Sequence, residues 1–305
     1  MSISNLGYLY FKEYYMDYFE NYNEKYRNLG DKEKEKKTQK YYENKDEKLF
    51  KPIDMERVNG TKKIGEDFLY FKTTYPGLLI GSGLIHSIGV KGESKLGFQF
   101  DYTTGLPIIN GSSVKGAIRS IFDLVDKKNE ALEYLKGIIL NEDMFDNSLK
   151  DYELGKYNGK ELNGEYFKEL REEIFEGIKE EKNIPMYKRD IFYEAVIDIE
   201  ETKKINKNNK DNKNNDIQIL GEDYITPHKE PLKNPNPIKF IKLMPNIVIR
   251  FQFDLKDGIL TKDEKLLLFH QIILDFGVGA KTNIGYGRFD DKYTKSKIQL
   301  RNNKK

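Results

Sequence analysis

The stretch Phe276-Gly-Val-Gly-Ala-Lys-Thr-Asn-Ile-Gly-Tyr-Gly-Arg-Phe289 constrains this chain most. Gly277, Gly279, Gly285 and Gly287 alternate there with Lys281, Thr282, Asn283, Tyr286 and Arg288. Glycine lets backbone approach a neighbour closely and leaves its N–H unobstructed by a Cβ. Lysine and arginine attract phosphate, and a tyrosine offers a stacking face. The segment reads first as a clamp on a nucleic-acid backbone, with a purely structural turn as the alternative. It is not a P-loop: Ala280 and Asp275 stand where that motif needs glycines, and the segment follows a helix rather than a strand. Nor is it a dinucleotide fingerprint, because Asp290 holds the third glycine's place after Gly285 and Gly287.

A second stretch, Leu106-Pro-Ile-Ile-Asn-Gly-Ser-Ser-Val-Lys-Gly-Ala-Ile-Arg119, reads as a strand, a turn and a helix start. Ser112 or Ser113 is the expected N-cap, with Val114, Ile118, Ile121, Phe122 and Val125 on the buried stripe. Hydroxyls and free amides at a helix N-terminus attract anions, and Lys115 and Arg119 share a face. Ser112 and Lys115 also match the Ser-x-x-Lys of penicillin-binding serine enzymes, but the companion motifs are absent.

Composition removes several classes. With no cysteine there are no disulfides and no thiolate metal sites. The three histidines, His86, His228 and His270, form no zinc-like pair, so neither metal nor cofactor is expected. No apolar run approaches the roughly 20 residues of a membrane span, and the N-terminus lacks a secretory pattern. A cytoplasmic protein is the expectation. Net charge is +2, from 52 basic and 50 acidic residues. The segment after Ala280 is locally basic, a pattern that suits phosphate.

Along the chain, residues 1–75 read as an N-terminal extension. Tyr8, Phe11, Tyr15, Tyr18, Phe19 and Tyr22 are spaced as an amphipathic helix seeking a partner, and Lys32–Lys48 as exposed or mobile. Residues 76–305 form the main domain. Strands are expected at Leu78–Ile85, Leu96–Tyr102, Phe192–Ile199, Ile247–Leu255 and Tyr286–Phe289, with a helix capped by Thr261. A helical insertion is expected at about 127–185 and a disordered loop at about 201–216. Tyr224–Phe240, punctuated by prolines, reads as a rigid hairpin or arm. Without the insertions the order is strand, helix, strand, strand, helix, strand: an α+β, ferredoxin-like (RRM-like) fold.

The two glycine-bearing stretches resemble the hallmarks of the CRISPR-associated RAMP superfamily. Asn5–Tyr10, Thr226-Pro-His228 and Asn236-Pro-Ile-Lys-Phe240 further resemble the sixth-subunit family of the type III-B (Cmr) effector. The resemblance implies a non-catalytic RNA-binding subunit in antiviral defence, capping the complex near the guide RNA 3′ end. It implies guide and target RNA as partners, with the backbone RAMP subunit, the small helical subunit and the other end-capping RAMP subunit. Ser112–Arg119 and Gly279–Arg288 would then line one groove: Lys115, Arg119, Lys281 and Arg288 on phosphates, Tyr286 stacked on a base, and His86 and His228 as further contacts. The alternative is a metal-independent, guide-RNA-processing endoribonuclease using His86 as general base.

Overall fold

Asp67–Lys72 alternates buried and half-buried residues, placing Leu69 and Phe71 on the core side of a strand. This strand, β1, belongs to the central sheet. The computed structural model describes residues 5–16, 26–56, 58, 60, 62–80, 93–94, 97–141, 144–145, 154–207, 216–225 and 238–294.

A short helical segment, Leu6–Tyr8, runs into a π-turn at Leu9–Glu13 and is followed by helix α1 (Asp31–Leu49). After β1 come β2 (Gln99–Phe100) and β3 (Pro107–Ile109), then α2 (Gly111–Phe122), α3 (Asn129–Ile139) and α4 (Gly164–Arg171). Next are β4 (Ile191–Phe192), β5 (Ala195–Ile197) and α5 (Ile199–Asn206). The hairpin β6 (Leu220–Ile225) and β7 (Ile238–Leu243), β8 (Val248–Asp254) and α6 (Lys262–Phe276) complete the main elements. The central sheet is antiparallel, in the order β1–β8–β5–β3–β2, with β4 also paired to β8. A single bridge, Thr73 to Phe289, flanks it beyond β1.

β8 lies inside the sheet and is buried along nearly its whole length, with Ile249, Phe251 and Phe253 on one face and Val248, Arg250, Gln252 and the half-buried Asp254 on the other. Arg250 is balanced by Asp198 at 2.6 Å. Helices α2 and α6 pack against each other. Val114, Ile118, Ile121 and Phe122 form the buried face of α2, and Leu266, Phe269, Ile272 and Ile273 that of α6. Thr261 and Glu264 close a capping box at the start of α6. α3 and α4, from the expected insertion, lie against α2.

Several expectations change. The boundary at residue 75 is too late, since β1 is the sheet's first long strand; its short alternation is masked by the polar residues around it. Lys32–Lys48 is helical within α1, whose Thr38, Tyr42, Asp46 and Leu49 turn inward along one narrow stripe. Of the aromatic segment, Tyr10, Tyr14 and Tyr15 pack on their own chain while Tyr8 and Phe11 stay exposed; Tyr18, Phe19 and Tyr22 lie outside the described residues. Tyr14 lies tilted against Tyr42 (5.2 Å) and Tyr10 stacks on Phe100 (6.2 Å), while the Tyr14 hydroxyl donates to Asp46. Within the expected disordered loop, residues 201–206 belong to α5, because Asp198 caps that helix; 208–215 lie outside the described residues. Asn110, not Ser112 or Ser113, is the N-cap of α2, since the helix already begins at Gly111. The expected final strand shrinks to the Phe289 bridge because glycines interrupt it. The expected proline-rich arm has a six-pair stem, β6–β7; residues 226–237 lie outside the description.

Candidate nucleic-acid interface

The glycine stretch folds back on itself directly after α6. Gly277 ends the helix with φ 73°, and Gly287 sits opposite it with φ 67°. A Cβ on Gly277 would lie 2.4 Å from the Gly287 oxygen, and one on Gly287 only 1.9 Å from the Val278 oxygen. The two arms can therefore touch, and the Val278 amide donates to Gly287 O at 3.0 Å. The Gly287 amide donates to Gly77 O, and the Ala280 amide to Leu79 O. The turn is thus bolted to the segment that follows β1, and these glycines serve close packing of the chain on itself.

Two residues expected to face RNA face inward instead. Tyr286 is 6% exposed; its ring meets Phe240 edge-on and its hydroxyl donates to Asp223 at 2.7 Å. Burial and the Asp223 carboxylate both push that hydroxyl's pKa up. Although burial works against it, hydrogen bonds from Lys242 and Tyr286 hold the Asp223 carboxyl below the usual range. Tyr286 therefore cannot stack a base. Arg288 donates from Nε to Thr282 O at 3.1 Å and from Nη1 to Asp275 O. It satisfies a carbonyl of the last turn of α6 and staples the loop to the helix.

What the turn displays is its tip. Lys281, in the left-handed conformation (φ 60°), and Asn283 are exposed, with Ile284 beside them, while Thr282 is half-buried. Gly279 is exposed, and Gly285 lies against Pro76. Next to Pro76, Tyr75 is 84% exposed, and Lys242 Nζ stands 5.9 Å from its ring centre. Lys242 is buried and paired with Asp223, so the open ring of Tyr75 supplies a stacking face and the exposed Lys281 the free charge for a phosphate. Sequence reading missed Tyr75 and Lys242. The signal was present: an aromatic before Pro76-Gly77, immediately after an alternating strand, but the boundary drawn at residue 75 hid it.

The start of α2 presents Ser112 and Ser113 on its exposed first turn, with Lys115 Nζ 5.9 Å from the Phe192 ring centre. Arg119 is occupied: it pairs with Glu176 (3.0 Å) and Asp123 (3.4 Å), and Arg171 meets the same two carboxylates. The insertion that supplies Arg171 and Glu176 converts this expected phosphate ligand into an internal clamp. The register also separates the two clusters. Ile109, which leads into α2, pairs with Ala195 toward the Phe253 end of the sheet. Thr73, Phe289 and the glycine turn lie at the Val248 end. That is about 20 Å along the strands, so the two clusters stand at opposite ends of the sheet. His86 and His228 lie outside the described residues. His270 is buried and stacked on Phe71. Among the described residues no group of acids and histidines could hold a metal, and no helix is long and apolar enough to cross a membrane.

The RAMP superfamily model matches residues 70–290. This chain belongs to the RAMP superfamily. The match begins inside β1 and ends one residue past the Phe289 bridge, so it encloses both the sheet and the glycine turn. No curated protein matches the chain. Among solved structures, it is similar to a chain of a type III-B Cmr-beta complex bound to cognate target RNA (23% identity, TM-score 0.42). That similarity covers 73% of this RAMP chain and 57% of the other. The chain is also similar to Cmr6 from Pyrococcus furiosus (21% identity, TM-score 0.37, covering 73% of this chain and 96% of that one). A third likeness is to a chain of a type III-A Csm–crRNA–target RNA complex (13% identity, TM-score 0.26, covering 63% and 53%).

Proposed function

We propose that this RAMP protein is a non-catalytic, RNA-binding subunit of a type III-B (Cmr) ribonucleoprotein, capping the complex near the 3′ end of its guide RNA. The observation that carries the reading is the construction of the glycine turn. Its glycines, Tyr286 and Arg288 lock it rigidly, and the lock leaves Lys281 and Asn283 at an exposed tip beside the open ring of Tyr75. A rigid scaffold holding a cation, an amide and an aromatic face is suited to one or two nucleotides of single-stranded RNA. The strand–helix–strand–strand–helix–strand order, with Phe289 bridging Thr73 at the edge, supports the ferredoxin-like reading of the fold. The partners in this reading are guide and target RNA, the backbone RAMP subunit, the small helical subunit and the other end-capping subunit, in the cytoplasm. Ser112, Ser113 and Lys115 would serve a second contact at the opposite end of the sheet.

The test is to incubate the purified protein with guide-length RNA in EDTA and read binding and cleavage from the same sample. Salt-sensitive binding without cleavage supports the reading. Specific cleavage that disappears in His86→Ala would replace it with a nuclease.

A further inference from the structure

Beyond the glycine turn, a cleft of about 410 Å³ opens between the 178–183 hairpin, the segment before β4 and the start of α6. At its base lie three charged side chains with almost no solvent exposure: Lys265 (2%), Asp190 (2%) and Glu173 (5%). Lys265 Nζ meets Asp190 at 2.8 Å, Glu173 Oε1 at 3.4 Å and the Lys256 carbonyl at 2.8 Å. Glu173 Oε1 also accepts from the Ile259 amide. Its other oxygen, Oε2, is buried and accepts no hydrogen bond; the nearest cation, Lys179, stands off at 3.6 Å. A buried carboxylate oxygen left unbonded destabilises the folded chain. An acceptor so placed, lining a cleft, calls for a donor from outside.

The rim is mixed but net basic, with exposed Lys179, Lys182 and Lys188 against exposed Glu180 and Asp257. Tyr187, 74% exposed, sits between the lining residues Pro185 and Lys188, with the Lys188 ammonium 5.8 Å from its ring centre. A fitting ligand donates N–H groups inward, carries an anion outward and presents a flat face to the lip. A polyamine donates inward but meets a rim where three lysines outnumber Glu180 and Asp257, and a free amino acid leaves a cleft of this size underfilled.

We propose that this cleft binds a purine nucleotide, with the exocyclic amino group of the base on Glu173 Oε2, the phosphate on Lys182 and Lys188, and Tyr187 against the exposed base or sugar. The nucleotide comes either free in solution or as one residue of an RNA strand. This goes beyond the glycine-turn interface and does not depend on it.

Calorimetric titration of the full-length protein with guanosine 5′-monophosphate, xanthosine 5′-monophosphate and inorganic phosphate tests the proposal. Guanosine monophosphate should saturate one site. Xanthosine monophosphate, which turns a carbonyl rather than an amine toward the carboxylate, should bind at least tenfold more weakly. Glu173→Gln should lose tenfold or more in guanosine monophosphate affinity. The exposed double change Lys182→Ala/Lys188→Ala should weaken it severalfold with an unchanged melting temperature, keeping the test valid if Glu173→Gln perturbs folding. Displacement of a fluorescent guanosine-ended RNA by guanosine monophosphate, retained in Lys281→Ala, would assign the site to an RNA residue; binding of the mononucleotide without displacement would assign it to the free nucleotide. No saturable binding at millimolar guanosine monophosphate, or equal binding of all three probes, overturns the proposal.

Discussion

At the scale of single residues, the candidate interface divides into side chains that hold the turn and side chains that it holds out. Lys281→Ala removes an exposed cation with no ion pair among the described residues. It should weaken binding of all RNA sequences alike and reduce the slope of log affinity against log salt by about 0.7, the share of one phosphate on a single strand. Filter binding across a salt series checks this; an unchanged slope would remove Lys281 from the interface. Tyr75→Ala should cost about 1–3 kcal/mol of RNA affinity if the ring stacks a base, with little change in melting temperature because the ring is exposed. Tyr286→Phe should do the reverse. It deletes a buried hydroxyl that donates to Asp223 and should lower stability by about 1 kcal/mol while sparing the salt slope. Tyr75 and Tyr286 cannot be told apart by residue type. Burial decides which one is a ligand, and burial depends on a partner, Asp223, some sixty positions away in sequence.

At the scale of elements, the sequence was legible where one local pattern sufficed. The helix after Thr261, the buried stripe of α2 and the strand Val248–Asp254 follow from capping chemistry, 3.6-residue periodicity and the two-residue alternation of Ile249, Phe251 and Phe253 with polar neighbours. The glycine turn was legible as a position between the last helix and the last sheet contact, but its inner logic was not. Gly277 and Gly287 look like open backbone in the sequence, yet they exist because two chain segments meet there at van der Waals distance. Arg288 reads as a phosphate ligand until α6 is seen to end with a carbonyl it can cap. Arg119 fails for a similar reason, since its acids come from the helix itself and from the insertion. Gly287→Ala should therefore destabilise by about 2 kcal/mol or more, from the left-handed backbone and the contact with Val278 O. RNA binding should fall with it, because the tip loses its fixed geometry. A denaturation midpoint measured beside RNA affinity checks both; a variant that unfolds normally yet binds RNA weakly would show that the turn's backbone, not its rigidity, makes the contact.

At the scale of the whole molecule, the glycine turn is joined to the rest of the chain by carboxylates as well as by packing. Asp223, on β6, is bonded by Lys242 and Tyr286; Asp290, just past the turn, meets Lys72 of β1 at 2.5 Å. Burial alone would raise both carboxyls, but hydrogen bonds from Lys242 and Tyr286 to Asp223, and from Lys72 to Asp290, outweigh it and hold both below the usual range. A folded-state pKa below the unfolded one means that the stabilisation is complete above the unfolded value, near pH 4, and is lost as pH falls through the folded values. Asp46 and Asp190 run the other way, since burial dominates over their lysine and hydroxyl or amide partners and raises them. Their protonation in mild acid favours the folded chain, so the balance below pH 4 rests on carboxylates of the first kind. The double change Asp223→Asn/Asp290→Asn should flatten the fall in melting temperature below pH 4 while lowering stability at pH 7, by a total on the order of 1–2 kcal/mol for two partly exposed pairs. Calorimetry from pH 2 to pH 7 measures it. If the acid limb of the double variant parallels that of the parent, these carboxylates do not anchor the turn, and its packing against Gly77 and Leu79 carries the load alone.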